Sequence, residues 1–119
     1  MGLNDLERQV IKAFLASVKV ETIQDSIFNE IEVIERHSTE MGFLTEIKTP
    51  NRLVCNSLAE NYRGGNIGAK LNNGTTNAGF LIYLEGHCIS AVEGYDILSE
   101  HWPAVVSDYS LYLIDFNIG

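Results

Sequence analysis

The 119-residue chain is 45% hydrophobic and 20% charged, a balance that supports one buried core and excludes a disordered segment, so a single domain over residues 1–119 is expected. Its formal net charge of −8 is unevenly placed, because Lys70 is the last basic side chain and Glu85, Glu93, Asp96, Glu100, Asp108 and Asp115 follow it unopposed. That distribution argues against nucleic acid and against anionic membranes as partners, whereas a basic protein partner would be attracted.

The first ten residues, MGLNDLERQV, lack the basic start and unbroken apolar run of a secretory signal, and no stretch reaches the length that spans a bilayer. Leu6 stands where a myristoylation signal needs Ser or Thr. A cytoplasmic protein is the expectation. Cys55 and Cys88 belong to no CxxC or Cys/His ligand spacing, so they read as small apolar groups in a reducing compartment.

In chain order, Leu3, Leu6, Val10, Ile11, Phe14, Leu15 and Val18 recur every three or four residues, which predicts an amphipathic helix over about 4–19. Asn4 is placed to cap it, with Glu7 three residues on to reach back. Glu7, Arg8, Lys12 and Lys19 fall on its other faces. Thr22 and Asp25, followed by Ile23, Ile27 and Phe28, predict a second short helix ending near Glu30. The alternation E-I-E-V-I-E-R then predicts a strand, and GFLTEIK a second one that stops at Thr49-Pro50. RLVCNSLAE is read as a further strand. The glycine- and asparagine-rich stretch after it is loose, with a strand around Asn66 to Leu71 closed by the turn signal Asn73-Gly74. Strands over 79–85 and 88–95, a loop holding Trp102-Pro103 and a last strand in DYSLYLIDF complete the chain.

Helices first and hairpin-linked strands afterwards imply an α+β fold: two N-terminal helices packed on one face of a mainly antiparallel sheet of about five to seven strands. Phe80-Leu81-Ile82-Tyr83-Leu84 is apolar on both sides, and short helices hide only one face. A homodimer or higher oligomer is therefore expected to cover the other.

Four constellations invite chemistry. A two-residue type II′ turn at Gly86-His87 would put Glu85 opposite Cys88 and Phe80 opposite Glu93, so the two glutamates would point to opposite faces. A three-residue loop would put both on one face with Glu93 opposite Leu81, about 13 Å apart along the strands. Neither arrangement meets the roughly 5 to 9.5 Å that paired glycosidase carboxylates require. Adjacent His87 and Cys88 project apart, which works against a thiolate–imidazole dyad and leaves Cys88 structural and His87 a solvated turn residue. RGGNIGAK lacks the Gly-Lys-Ser/Thr of a phosphate loop. His37, His87 and His101 share no ligand spacing. No catalytic residue, metal or cofactor is assigned. The remaining candidate is GYDILSEHWP, where Glu93, Tyr95, His101 and Trp102 gather near a proline-bearing loop and could line a pocket or anchor a partner. A lone Trp102 is more simply read as a plug at the end of the core.

Ala78-Gly79-Phe80, Leu84-Glu85-Gly86, Glu93-Gly94-Tyr95 and Trp102-Pro103, with Leu6-Glu7-Arg8-Gln9-Val10 and Met41-Gly42-Phe43-Leu44-Thr45, resemble a group of small uncharacterised bacterial proteins of the kind carried on mobile, integron-type gene cassettes. The chain departs from that pattern at Gly86-His87 and at Leu98-Ser99. The resemblance implies the fold and carries no activity. Together these readings favour a non-enzymatic, acidic, self-associating binding protein, immunity- or antitoxin-like in character. The alternative is a small-molecule-binding protein or enzyme with a cleft near Tyr95, His101 and Trp102.

Overall fold

The computed structural model describes residues 2–18, 25–98 and 101–114. One helix, α1 (Asp5–Ser17), is followed by a single 3-10 turn (Asp25–Glu30) and six strands: β1 (Glu32–Thr39), β2 (Gly42–Lys48), β3 (Tyr62–Leu71), β4 (Thr76–Glu85), β5 (Cys88–Asp96) and β6 (Tyr109–Leu113). The α+β class is as expected, but no second N-terminal α-helix is found among the described residues. Asp25–Glu30 closes only a 3-10 turn. Ile27 and Phe28 are buried side by side, which suits a tight turn laid on the core better than a helix stripe.

The capping box that starts α1 is complete, with Glu7 N–H donating to Asn4 Oδ1 at 2.8 Å and Asn4 N–H donating to Glu7 Oε1 at 2.8 Å. Val10, Ile11, Phe14 and Leu15 are buried beneath the helix, which lies over β3 and β4. Glu7 is a correction to the helix reading. Its side chain is turned into the protein and is 1% exposed.

All strand pairs are antiparallel, in the order β1-β2-β5-β4-β3-β6. The inner face, under α1, carries Phe80, Ile82 and Leu84 of β4 beside Val92 and Ile89 of β5 and Ile67, Ala69 and Leu71 of β3. Gly94 completes that face by leaving room for two rings. A Cβ there would lie 2.4 Å from Phe43 and 3.0 Å from Phe80. Trp102 closes this aromatic group, edge-on to Phe43 at 5.3 Å and to Phe80 at 6.4 Å between centroids, the plug that its isolation in the sequence suggested.

Two local readings are corrected. RLVCNSLAE holds no strand. Its buried Leu53 and Cys55 belong to a loop clasping the tip of the β4–β5 hairpin, where Cys55 N–H donates to His87 O and His87 N–H donates to Glu60 O, each at 2.9 Å. The hairpin turn is type I′ and not II′, since Gly86 and His87 both have positive φ, 60° and 66°. β3 also starts earlier than expected, at Tyr62. Asp115 and Phe116 of the last expected strand, and Lys19, Thr22 and Ile23 of the expected helices, lie outside the described residues.

Candidate functional site

The two faces of the sheet separate the residues that the sequence placed together. In β5, Glu93 and Tyr95 point outward, away from α1. Trp102 packs on the inner face, and His101 is exposed in the loop, its backbone N–H donating to Asp96 Oδ2 at 2.8 Å. No one pocket among those described contains all four.

The outer face is organised by three irregularities in strand pairing. Val33 pairs with Ile47 but Glu35 pairs with Glu46, so Ile34 is an extra residue in β1. Tyr83 pairs with Ala91 but Leu84 with Ile89, so Ser90 is extra in β5. A third lies between Gly64 and Ile67 of β3. Each bulge switches which side chains share a face. The one at Ser90 places Glu93 opposite Leu81 although the turn has only two residues. Glu85 and Glu93 therefore share the outer face, separated by four strand positions, about 13 Å, and the separation argument against a carboxylate pair holds. Tyr83 Oη donates instead to Glu93 Oε1, and burial, reinforced by that bond, raises the Tyr83 phenol above its ordinary value. Arg63 lies over the Tyr83 ring at 5.5 Å.

Two tyrosines roof glycines on this face. The ring of Tyr95 lies where a side chain at Gly79 would stand, and that of Tyr112 does the same at Gly68. A shallow depression of about 430 Å³ is bounded by His37, Met41, Leu44, Glu93 and Tyr95. At its edge His37 Nε2 is 2.9 Å from Glu46 Oε2 and 3.6 Å from Glu35 Oε2. The hydrogen bond to Glu46 and the two carboxylate charges raise the His37 pKa above its ordinary value, against an opposing cost of burial. The ligand-type atoms of Glu35, His37 and Glu46 lie within 4.8 Å of one another, a grouping set by the β1–β2 pairing of Glu35 with Glu46 and His37 with Leu44, which a search for histidine spacing along the chain misses. All three are exposed, and the imidazolium itself offsets the carboxylates.

On the inner side, a cleft of about 480 Å³ opens between the start of α1 and the 101–108 loop, lined by Asp5, Arg36, Ser38, Trp102, Ser107 and Tyr109 among others. Its floor is a buried ion pair. Arg36 donates from Nε to Glu7 Oε2 at 3.0 Å and from Nη2 to Oε1 at 2.6 Å, and Thr45 Oγ1 donates to Oε2 at 2.5 Å. Burial pushes the Glu7 carboxyl up, but the hydrogen bonds from Arg36, Thr45 and Asn4 with the Arg36 charge outweigh it and leave the pKa lowered. At the rim Tyr109 Oη donates to Asp5, and burial together with that bond pushes the phenol up to about 12. The cleft is thus built from satisfied groups.

His87 is half-buried rather than a fully solvated turn residue, and its Nδ1 is buried with no hydrogen-bond partner. Cys55 and Cys88 are free, and burial, with Cys88 nearby, raises the Cys55 thiol pKa, the opposite of what a nucleophile needs. No protein-family model, no curated protein and no solved structure matches the chain.

Proposed function

We propose that this is a non-enzymatic binding protein that self-associates through the outer face of its sheet. One observation carries the reading: α1 covers the inner face, while no described element covers the outer one, which presents Leu44, Leu81, Tyr83, Tyr95 and Tyr112 between charged residues. Aromatics and aliphatics at the centre with charges at the rim is the anatomy of an interface. Six strands about 4.8 Å apart and about seven residues long give roughly 650 Å² per copy, or about 1,300 Å² for a pair, inside the range of stable interfaces. An acidic C-terminal half suits a further, basic protein partner, in the manner of an immunity protein or antitoxin. Light scattering at micromolar concentration is expected to give the mass of a dimer for the wild type and of a monomer for Leu81→Lys, with unchanged circular dichroism. A monomeric wild type overturns the reading.

The inner cleft favours a second reading, small-molecule binding. Its volume lies within the range of ligand pockets, and it joins Trp102 and Tyr109 to Arg36, Ser38 and Ser107. Of the residues expected around such a cleft, Trp102 alone lines it. A thermal-shift screen should then find a ligand whose effect disappears in Ser107→Tyr, which narrows the mouth. Hits unaffected by that change would place binding elsewhere.

A further inference from the structure

The outer face is polarised across its strands, and that polarity selects one way for two copies to meet. One row of paired residues crosses most of the sheet: Glu35 pairs with Glu46, Glu46 with Ala91, Ala91 with Tyr83 and Tyr83 with Arg63. The row begins with two carboxylates on β1 and β2 and ends with a guanidinium on β3. Along β3 the other outward charge is Lys70, which pairs with Asn77 and Ser110. On balance the β1–β2 side is acidic, with Glu32, Glu35 and Glu46 against Lys48, and β3 is basic, while the aromatic and aliphatic centre on β5 and β4 also holds Glu93, bound by Tyr83, and Glu85 at the hairpin end.

Two identical faces stacked by a two-fold axis can be related in two ways. If the axis lies across the strands, β1 and β2 of each copy lie over β1 and β2 of the other, and acid meets acid. If the axis runs along the strands between β5 and β4, position inverts across the sheet while height along the strand is kept. β2 then lies over β3 of the second copy and β5 over β4. Because Glu46 and Arg63 occupy the same row, this operation sets Glu46 over Arg63 of the second copy, and Arg63 over its Glu46, at one level. Ala91, the smallest side chain in the row, meets the Tyr83 ring of the second copy. The twist of the sheets leaves such a stack with its strands about 30° from parallel, the ordinary aligned packing.

We propose that this face pairs with a second copy of the chain about a two-fold axis parallel to the strands, held in register by reciprocal Glu46–Arg63 ion pairs. The inference rests on the self-association reading above and specifies its geometry. Like charges brought together across an interface are strongly unfavourable, and opposite charges fix register.

The test is charge reversal with complementation, read by sedimentation velocity. Glu46→Arg and Arg63→Glu are each expected to weaken self-association at least about tenfold. Mixing the two variants should restore it. One chain then carries positive charge at both positions and the other negative charge at both, so each of the two contacts again joins opposite charges. The milder Glu46→Gln and Arg63→Gln should each weaken association without reversal, which covers a reversal that fails to fold. Restoration in the mixture supports the geometry. Single variants that associate like the wild type, or a mixture no stronger than its components, overturn the geometry and leave self-association standing. A wild type that stays monomeric overturns both.

Discussion

The two faces of this sheet are made by the same strands, often by neighbouring residues, and differ in what an apolar side chain does there. Phe80, Ile82 and Leu84 on the inner face are at most 4% exposed and belong to the core cluster. Leu81 and Tyr83, one position away on the outer face, keep partial contact with water, and Tyr83 ties its hydroxyl to Glu93. A run that is apolar on both sides has thus been divided into a dry half and an amphiphilic half. The lesson is that apolar content alone does not distinguish a second core from a binding surface. Polar handles on the aromatics do.

The largest test of this contrast lies at Glu7, a carboxylate buried on the inner side and paired with the partly exposed Arg36. Glu7→Ala removes the acceptor of four hydrogen bonds and takes the carboxylate from Arg36, and losing one partner of a buried pair costs several kcal/mol. The Arg36 side chain retains 30% exposure, so water relieves part of that, and about 3 kcal/mol is the expected loss in chemical denaturation at neutral pH. The pH dependence has a definite sign. Glu7 has a lowered pKa in the folded state, so its stabilisation is present above the ordinary carboxylate range and fades as pH falls through the folded value. The variant should therefore lose less stability on acidification than the wild type, and an equally steep acid limb would contradict the ion-pair account.

How legible this was in the sequence follows from the kind of signal each feature leaves. The Asn4–Glu7 capping box and the spacing of α1 are local patterns, as are the alternation that marked β1 and β6 and the short apolar runs that marked β2, β4 and β5. The bulges at Ile34 and Ser90 leave no local mark, yet each decides which side chains share a face. For that reason the positions of Glu85 and Glu93 stayed ambiguous, while the meeting of Glu35, His37 and Glu46 depends on the cross-strand register of β1 and β2 rather than on spacing along the chain. The loop through Leu53 and Cys55 misled for a related reason. Its apolar residues are buried against the hairpin tip and the core, and its backbone bonds go to His87 and not to a ladder. Of the candidate site, Glu93 and Tyr95 share the outer face, while Trp102 packs on the opposite one. Only the tertiary path of the 101–108 loop determines that.

A smaller effect distinguishes the faces by one chemical change made on each. Gly94 and Gly79 lie on neighbouring strands, and each is overlaid by aromatic rings. A Cβ at Gly94 would sit 2.4 Å from Phe43, held against Phe80 and Trp102, whereas at Gly79 it would sit 2.5 Å from the outer part of the Tyr95 ring. Overpacking a fixed core costs about 1 to 3 kcal/mol. A ring that can swing into solvent yields more cheaply. Gly94→Ala is expected to lose about 2 kcal/mol and Gly79→Ala under about 1 kcal/mol, compared at one protein concentration because association shifts apparent stability. Equal losses would mean that Tyr95 is as firmly held as Phe43, and the outer face would then behave as core.

The smallest effect concerns His37, which is exposed and contributes little to stability however it titrates. Its pKa is raised mainly by the hydrogen bond to Glu46, so whatever it adds is present below the unfolded histidine value and lost as pH rises through the folded one. An NMR titration should place its midpoint above 6.5, and Glu46→Gln should bring it down. Self-association gives this measurement further use. In the proposed pair Glu46 is shared with Arg63 of the second copy, which competes with the imidazole for the same carboxylate and makes the imidazolium less favourable. The His37 midpoint should then fall as protein concentration rises through the association range. A midpoint independent of concentration would separate Glu46 from the contact and require a different register for the two faces.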